Sequence, residues 1–250
     1  AYRIQKLNSK YINEEPPYYD YKKIFKKFDK KHKQKALKIG KQLIERRVSG
    51  HFDPNLPYMI KSSFLNSSIK LKSKTNRKKI IIFPHCYLDF PHRYRDMIFP
   101  DFYFQIKFFL DLSKKLNDFE WYYKPHPGEL RVGGLSSEMD IHKNILKEYP
   151  NVIYLDKDIS HKSIIKLKPS CVITNHGTVA HEYAYFNIPV LNTGDNPHIN
   201  YDFCLHLRSK NEILKTISQL SKYKQRINFS KKELYEFMYL HYDYFPNLND

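Results

Sequence analysis

The 250-residue sequence predicts an α/β protein: a Rossmann-like, doubly wound parallel sheet preceded by a basic helical extension. Three observations carry that expectation. Short β-branched runs alternate with helical spacing between residues 77 and 220. The connections are short, which suits parallel strands joined by helical crossovers, and right-handed crossovers wind such a sheet on both faces. Upstream of residue 76 the alternation is absent, and one lysine-rich helical stretch stands in its place. The expected organisation is residues 1–75 as extension and linker, 76–225 as the α/β domain, and 226–250 as a terminal aromatic helix.

The elements follow in order. Tyr18–Arg47 sets Ile24, Phe25, Phe28, Ala36, Leu37, Ile39, Leu43 and Ile44 among lysines, the pattern of an amphipathic helix broken near Lys30–Lys33. Gly50, Pro54 and Pro57 mark a loop, and the polar run Ser62–Thr75 a linker. Lys79–Pro84 is the first strand and Asp101–Leu116 the helix after it. Glu120–Lys124, Val152–Leu155, Ser170–Thr174 and Ile188–Asn192 are further strands, the last of these closing the sheet. Helices Glu138–Glu148, His161–Leu167, Thr178–Phe186 and Lys210–Leu220 lie between and after them. A final helix spans Ser230–Tyr242, where Ser230 and Glu233 have the spacing of a reciprocal capping box.

The net charge of +17 points to an anionic partner: nucleic acid, anionic lipid or a phosphorylated substrate. An AT-rich genome would also inflate lysine. No zinc-finger, helix-turn-helix or RNP-type pattern is present, so nucleic acid is not an expected partner. The lysine face of residues 21–47 is either simply solvated or docks on anionic phospholipid, at roughly 1 kcal/mol per basic residue. No apolar run reaches 18 residues, and the first 30 lack an apolar signal segment. Cys86, Cys171 and Cys204 have no metal spacing and read as thiols of a reducing cytoplasm. The expected location is the cytoplasm, with the inner face of the membrane as an option.

Three segments concentrate chemistry. In Thr174–Gly194 a strand ends, a turn runs through Asn175, His176 and Gly177, and a helix starts at Thr178. Ligands of open α/β sheets bind at the carboxyl ends of strands, where glycine lets the backbone come close. A helix start offers N–H groups to phosphate, the Thr178 hydroxyl adds a donor, and Glu182 one turn on can accept a ribose diol. The plain alternative is an ordinary helix start capped by threonine. In Tyr122–Gly128 two prolines fix the backbone around His126, beside Lys124, a pairing that suits phosphate. The plain alternative is a rigid surface turn. Phe83–Arg95 gathers His85, Asp89, His92 and Arg93 after the first strand. Asp89 with His85 or His92 suits acid–base work or orientation of phosphate and acceptor, whereas the spacing matches no zinc pattern. Asp195, Asn196 and His198 follow the Ile188–Asn192 strand and are candidates for acceptor or base contacts.

The run Glu182-Tyr183-Ala184-Tyr185-Phe186-Asn187-Ile188-Pro189-Val190 resembles the E-A-x-A-x-G-x-P-V segment of GT-B glycosyltransferases. Glu182, Pro189 and Val190 match, while Tyr183, Tyr185 and Asn187 depart. Asn tolerates the left-handed backbone that glycine would take there. The element Lys124-Pro125-His126-Pro127 resembles one in capsule-type β-Kdo, sialyl- and polysialyltransferases, and in teichoic-acid-type polymerases that use CDP-alditols. The resemblance covers residues 79–220. It implies the C-terminal, donor-binding domain of a transferase that builds capsule or lipopolysaccharide glycans. The substrates would be a nucleotide sugar, for instance a CMP-sugar, and a glycan or glycolipid acceptor. His126 and Lys124, with His176, Gly177 and Thr178, would then hold phosphate, Glu182 would bind ribose, and Asp89, His85 and His126 would be the catalytic candidates. No cofactor or divalent metal is implied. Residues 1–75 are too short and strand-poor for a complete first domain, so that domain is expected to be separate or lost. A CDP-alditol phosphotransferase and a non-catalytic nucleotide-binding or lipid-docking subunit are the alternative functions. A 2-epimerase of the same fold would need paired carboxylates, and no clear pair is evident.

Overall fold

A computed structural model describes residues 17–51, 63–65, 71–73, 75–85, 97–126, 137–156, 159–222 and 229–246. Its strands are β1 (Lys78–Ile82), β2 (Phe119–Tyr123), β3 (Val152–Tyr154), β4 (Cys171–Thr174), β5 (Val190–Asn192) and β6 (Leu205–His206). All pair in parallel, in the order β3-β2-β1-β4-β5-β6. The chain therefore builds outward from β1 to β3, returns to the other side of β1, and builds outward again. This is the doubly wound order, with a switch point between β1 and β4.

Side chains alternate across each strand, so the sheet has two apolar faces. Ile80, Ile82, Trp121, Tyr123, Ile173 and Leu191 point to one side. That face is covered by α3 (Phe102–Lys115), α4 (Ser137–Lys147) and α7 (Lys210–Lys222), with Phe109, Leu110, Ile145, Ile213 and Ile217 packed onto it. Ile81, Tyr122, Val172 and Val190 point to the other. There lie α5 (His161–Lys166), α6 (Val179–Tyr185), α8 (Lys231–Tyr239) and the N-terminal helices α1 (Tyr21–Lys27) and α2 (Lys30–Ser49).

The N-terminal helices share this core. Ala36 and Ile44 of α2 are fully buried in the same cluster as Tyr183, Leu234 and Phe237. Helix α2 crosses α8 so closely that a Cβ on Gly40 would lie 1.9 Å from the Tyr235 carbonyl oxygen, so only glycine fits. The helical stretch is broken at Phe28 and Asp29, not near Lys30–Lys33. Phe28 is extended, and the Asp29 carboxylate caps α2 by accepting from the His32 N–H at 2.7 Å.

Three further expectations are corrected. Ser230 caps α8, but Glu233 does not complete a capping box: its two oxygens accept from the Asp202 N–H and the Lys22 ammonium instead. Leu205–His206 adds a strand outside β5, so Ile188–Asn192 does not close the sheet. Helix α8 ends at Tyr239 and runs on as a π-helical turn, Leu240–Tyr244. Asn187 sits at φ +57°, the left-handed backbone expected of the residue standing where the resembling segment has glycine. Pro54, Pro57 and most of the expected linker lie outside the described residues.

Candidate functional site

The switch point sets the ends of β1 and β4 side by side, and β2 flanks β1. The Phe83 N–H donates to the Ile173 carbonyl at 2.9 Å, and the Lys124 N–H to the Ile82 carbonyl at 3.0 Å. These bonds extend the ladder just past the strand ends and fix where the next residues emerge. His85 leaves β1, His126 leaves β2 and His176 leaves β4. Their rings converge, with His85 centred 5.9 Å from His176 and 6.0 Å from His126. All three are half-buried. Phe102, at the start of α3, packs edge-on against His85 at 4.8 Å and limits its rotation. Imidazoles in this arrangement can donate hydrogen bonds to an anion and carry charge when protonated.

Around them the turn after β4 is tight. A Cβ on Gly177 would come 2.8 Å from the Thr174 hydroxyl. Thr178 stands at the N-cap of α6, and its hydroxyl makes no capping hydrogen bond. Lys124, at the end of β2, is buried and close enough to His161 to act on it electrostatically. Among the described residues, no group of three His, Cys, Asp or Glu side chains is arranged to hold a metal ion.

Glu182 occupies a different setting from the one expected. It is 3% exposed, and its Oε1 accepts from Arg47 Nε at 2.6 Å. Arg47, 8% exposed, comes from α2, and its guanidinium also lies 5.8 Å from the centre of the Tyr242 ring. The second oxygen is 3.8 Å from His161 Nδ1, too far for a hydrogen bond. His161 is held neutral by burial and by the nearby Lys124 and Arg47 cations, so that contact is not an ion pair. The carboxylate expected to receive a ribose diol thus receives a guanidinium, closed off from solvent. Sequence reasoning missed Arg47. The available signal was a basic residue on the apolar stripe Ala36, Gly40, Ile44.

The loop after β5 is also turned inward. Asp195 accepts from the hydroxyls of Tyr18, at 3.2 Å, and Tyr19. Burial and the Asp195 charge push the Tyr18 hydroxyl far above its ordinary pKa, so it stays a donor. Asn200 clasps the same segment through the Tyr18 and Tyr19 carbonyls. Asn196 bonds the Gly194 carbonyl and the His198 N–H, and His198 meets His181 at 3.1 Å. Burial keeps His181 and His198 neutral. Asp195, Asn196 and His198 are all buried and make these bonds within the loop. Asp89, His92 and Arg93, with Cys86, Gly128 and Arg131, lie outside the described residues.

No family model matches the sequence, and no curated protein matches it. Solved structures similar to this chain include the KpsC β-Kdo 2,4 transferase of Thermosulfurimonas dismutans. It is 12% identical, with 82% of this chain and 55% of that one covered at a TM-score of 0.49. The MnaA–UDP co-structure from S. aureus is 16% identical, with 70% and 50% covered at a TM-score of 0.44. The UDP-GlcNAc 2-epimerase of Methanocaldococcus jannaschii, in complex with UDP-GlcNAc and UDP, is 11% identical, with 66% and 44% covered at 0.43. The chain spans about half the length of these three proteins. Its assignment as a Rossmann-like α/β domain rests on its own strand order.

Proposed function

We propose that this chain is the donor-nucleotide-binding domain of a GT-B-type glycosyltransferase acting on a nucleotide-activated sugar. One observation carries the reading: three imidazoles, His85, His126 and His176, meet at the carboxyl ends of β1, β2 and β4 beside the switch point. That is where open α/β sheets bind nucleotides. Polyanion binding needs donors that converge from separate strands, and these do. His126 neutralises charge developing on the leaving nucleotide phosphate, while His85 and His176 orient it. The tight turn at Gly177 brings the backbone close to the same anion.

We assign Glu182 to tethering α2 in place of the ribose. Withdrawing it would strand the buried Arg47 guanidinium, at about 3–5 kcal/mol for a broken buried pair. The test is a thermal-shift panel of CMP, CDP, UDP, GDP and CMP-Kdo on the wild type, His126→Ala and Glu182→Ala. Stabilisation is about 2.7 kcal/mol at a hundredfold excess over Kd. His126→Ala is expected to lose most of the nucleotide-dependent shift at an unchanged starting Tm. Glu182→Ala is expected to start from a lower Tm and keep its shift. No shift of the wild type with any nucleotide would overturn the proposal.

A further inference from the structure

The +17 charge of the chain is unevenly spread. Residues 17–50 hold twelve basic and three acidic side chains, a net +9. Residues 76–222, more than four times as long, hold twenty basic and sixteen acidic ones, a net +4. A genome-wide bias toward lysine would load both regions alike, so the N-terminal excess needs a local cause.

The structure shows where that charge sits. Nine basic residues between Lys23 and Arg46 are exposed, eight of them lysines. On α2, Lys31, Lys35, Lys38 and Lys41 recur at intervals of three and four, which places them on one face. The opposite face, with Ala36, Gly40, Ile44 and Val48, is buried against the domain. The lysine face is therefore pinned outward by packing. Ion pairs on it among the described residues are Lys23–Asp20 at 2.8 Å and Lys41–Glu45 at 3.7 Å, both at the surface and worth little.

This face works against the stability of its own helix. Like charges three and four residues apart each cost a few tenths of a kcal/mol. Lys31 also stands in the first turn of α2, where a cation opposes the helix dipole and the Asp29 carboxylate at the N-cap offsets part of that cost. Charge retained at a cost to the helix implies a counter-charge outside it.

We infer that α1 and α2 form a docking face for an anionic phospholipid surface. The chemistry separates a membrane from nucleic acid. Lysine is a point charge that meets diffuse surface potential, whereas phosphate and base recognition favours the arginine fork. Single-stranded nucleic acid also requires exposed aromatic platforms. Tyr21 and Phe25 are buried, and Phe28 is stacked on His32 at 3.8 Å. No helix among the described residues is long and apolar enough to cross a membrane, so the contact is peripheral. The docking is independent of the nucleotide reading above and stands or falls by itself.

The experiment is flotation of the chain with phosphatidylcholine vesicles, with or without roughly one-third phosphatidylglycerol. It is run at roughly 0.05 and 0.5 M salt, which brackets strong and weak screening. Binding is expected to the anionic vesicles alone and to fall at high salt. Lys31, Lys35, Lys38 and Lys41 changed together to Gln are expected to lower the partition coefficient about 600-fold, at roughly fivefold per lysine. The same four changed to Arg keep binding, and the Gln variant melts no lower than the wild type. Equal flotation of wild type and Gln variant, or no preference for anionic vesicles, would overturn the docking face. So would tighter binding to a DNA duplex than to anionic vesicles at matched salt, which would put nucleic acid in the membrane's place.

Discussion

Two sets of histidines lie near the carboxyl edge of the sheet, and they have opposite characters. His85, His126 and His176 are half-buried and face one another across the switch point. His161, His181 and His198 are enclosed, His241 is partly covered by Tyr21 and Phe237, and burial drives all four below the ordinary imidazole range. His241 falls to about 4, where Arg47 adds to the effect of burial. These rings bond within the domain: His181 to His198 and Tyr242, and His241 to Tyr21 at 2.9 Å. The contrast teaches that nearness to a strand end does not make a side chain part of a binding site. Access does, and access here is decided by whether the N-terminal segment or α8 lies on top.

The largest expected effect is the pH dependence of stability. These four histidines are neutral when folded and protonate near pH 6.5 when unfolded. Below that pH the unfolded chain binds more protons, so stability is full above about 6.5 and falls as pH drops toward the folded values. Glu236 opposes them: burial raises its carboxyl to about 7, which favours the folded state below that pH. The lowered histidines, His206 among them, outnumber this one carboxyl, so the net dependence keeps their sign. Melting curves between pH 7.5 and 4.5 should therefore show a steep decline in Tm. A flat profile would break the distinction between the two sets.

Next comes Arg47→Ala, expected to cost about 3–5 kcal/mol because it leaves Glu182 buried without its cation. Chemical denaturation at pH 7.5 measures it, and a loss below about 1 kcal/mol would mean that Glu182 is open to water after all. The smallest effects sharpen the comparison directly. His198→Gln should destabilise by about 1–3 kcal/mol, since it disturbs a buried, bonded ring. His126→Gln, with its side chain half in water, should stay within about 0.5 kcal/mol of the wild type. Equal losses in the two would remove the contrast.

Much of the fold could be read from local pattern. The β-branched and aromatic runs placed five strands within two residues of their positions, because most of their side chains pack into one or other face of the core. Strand β6 escaped because two residues carry no period. The helix break was misplaced although Asp29, a good N-cap, marked it. The capping box failed because Asp202 and Lys22, distant in sequence, compete for Glu233. The site shows the same limit. Glycine and proline spacing located the turns bearing His126 and His176, which are local features. The partners of Glu182 and Asp195 come from 135 and 177 residues away, and no window along the chain reports them.

The clasp between α2 and α8 also sets the timing of folding. The buried stripe of α2 is not fully covered until α8 is made, and Tyr239 follows Ser49 by 190 residues. At about 5–20 residues per second that interval is on the order of 10–40 s. For that time the nascent chain carries the α8-facing part of this stripe, around Ala36 and Gly40, uncovered beside a dense row of lysines. Those lysines repel other copies of the same helix, so the charge that weakens α2 once folded guards it against self-association while it waits.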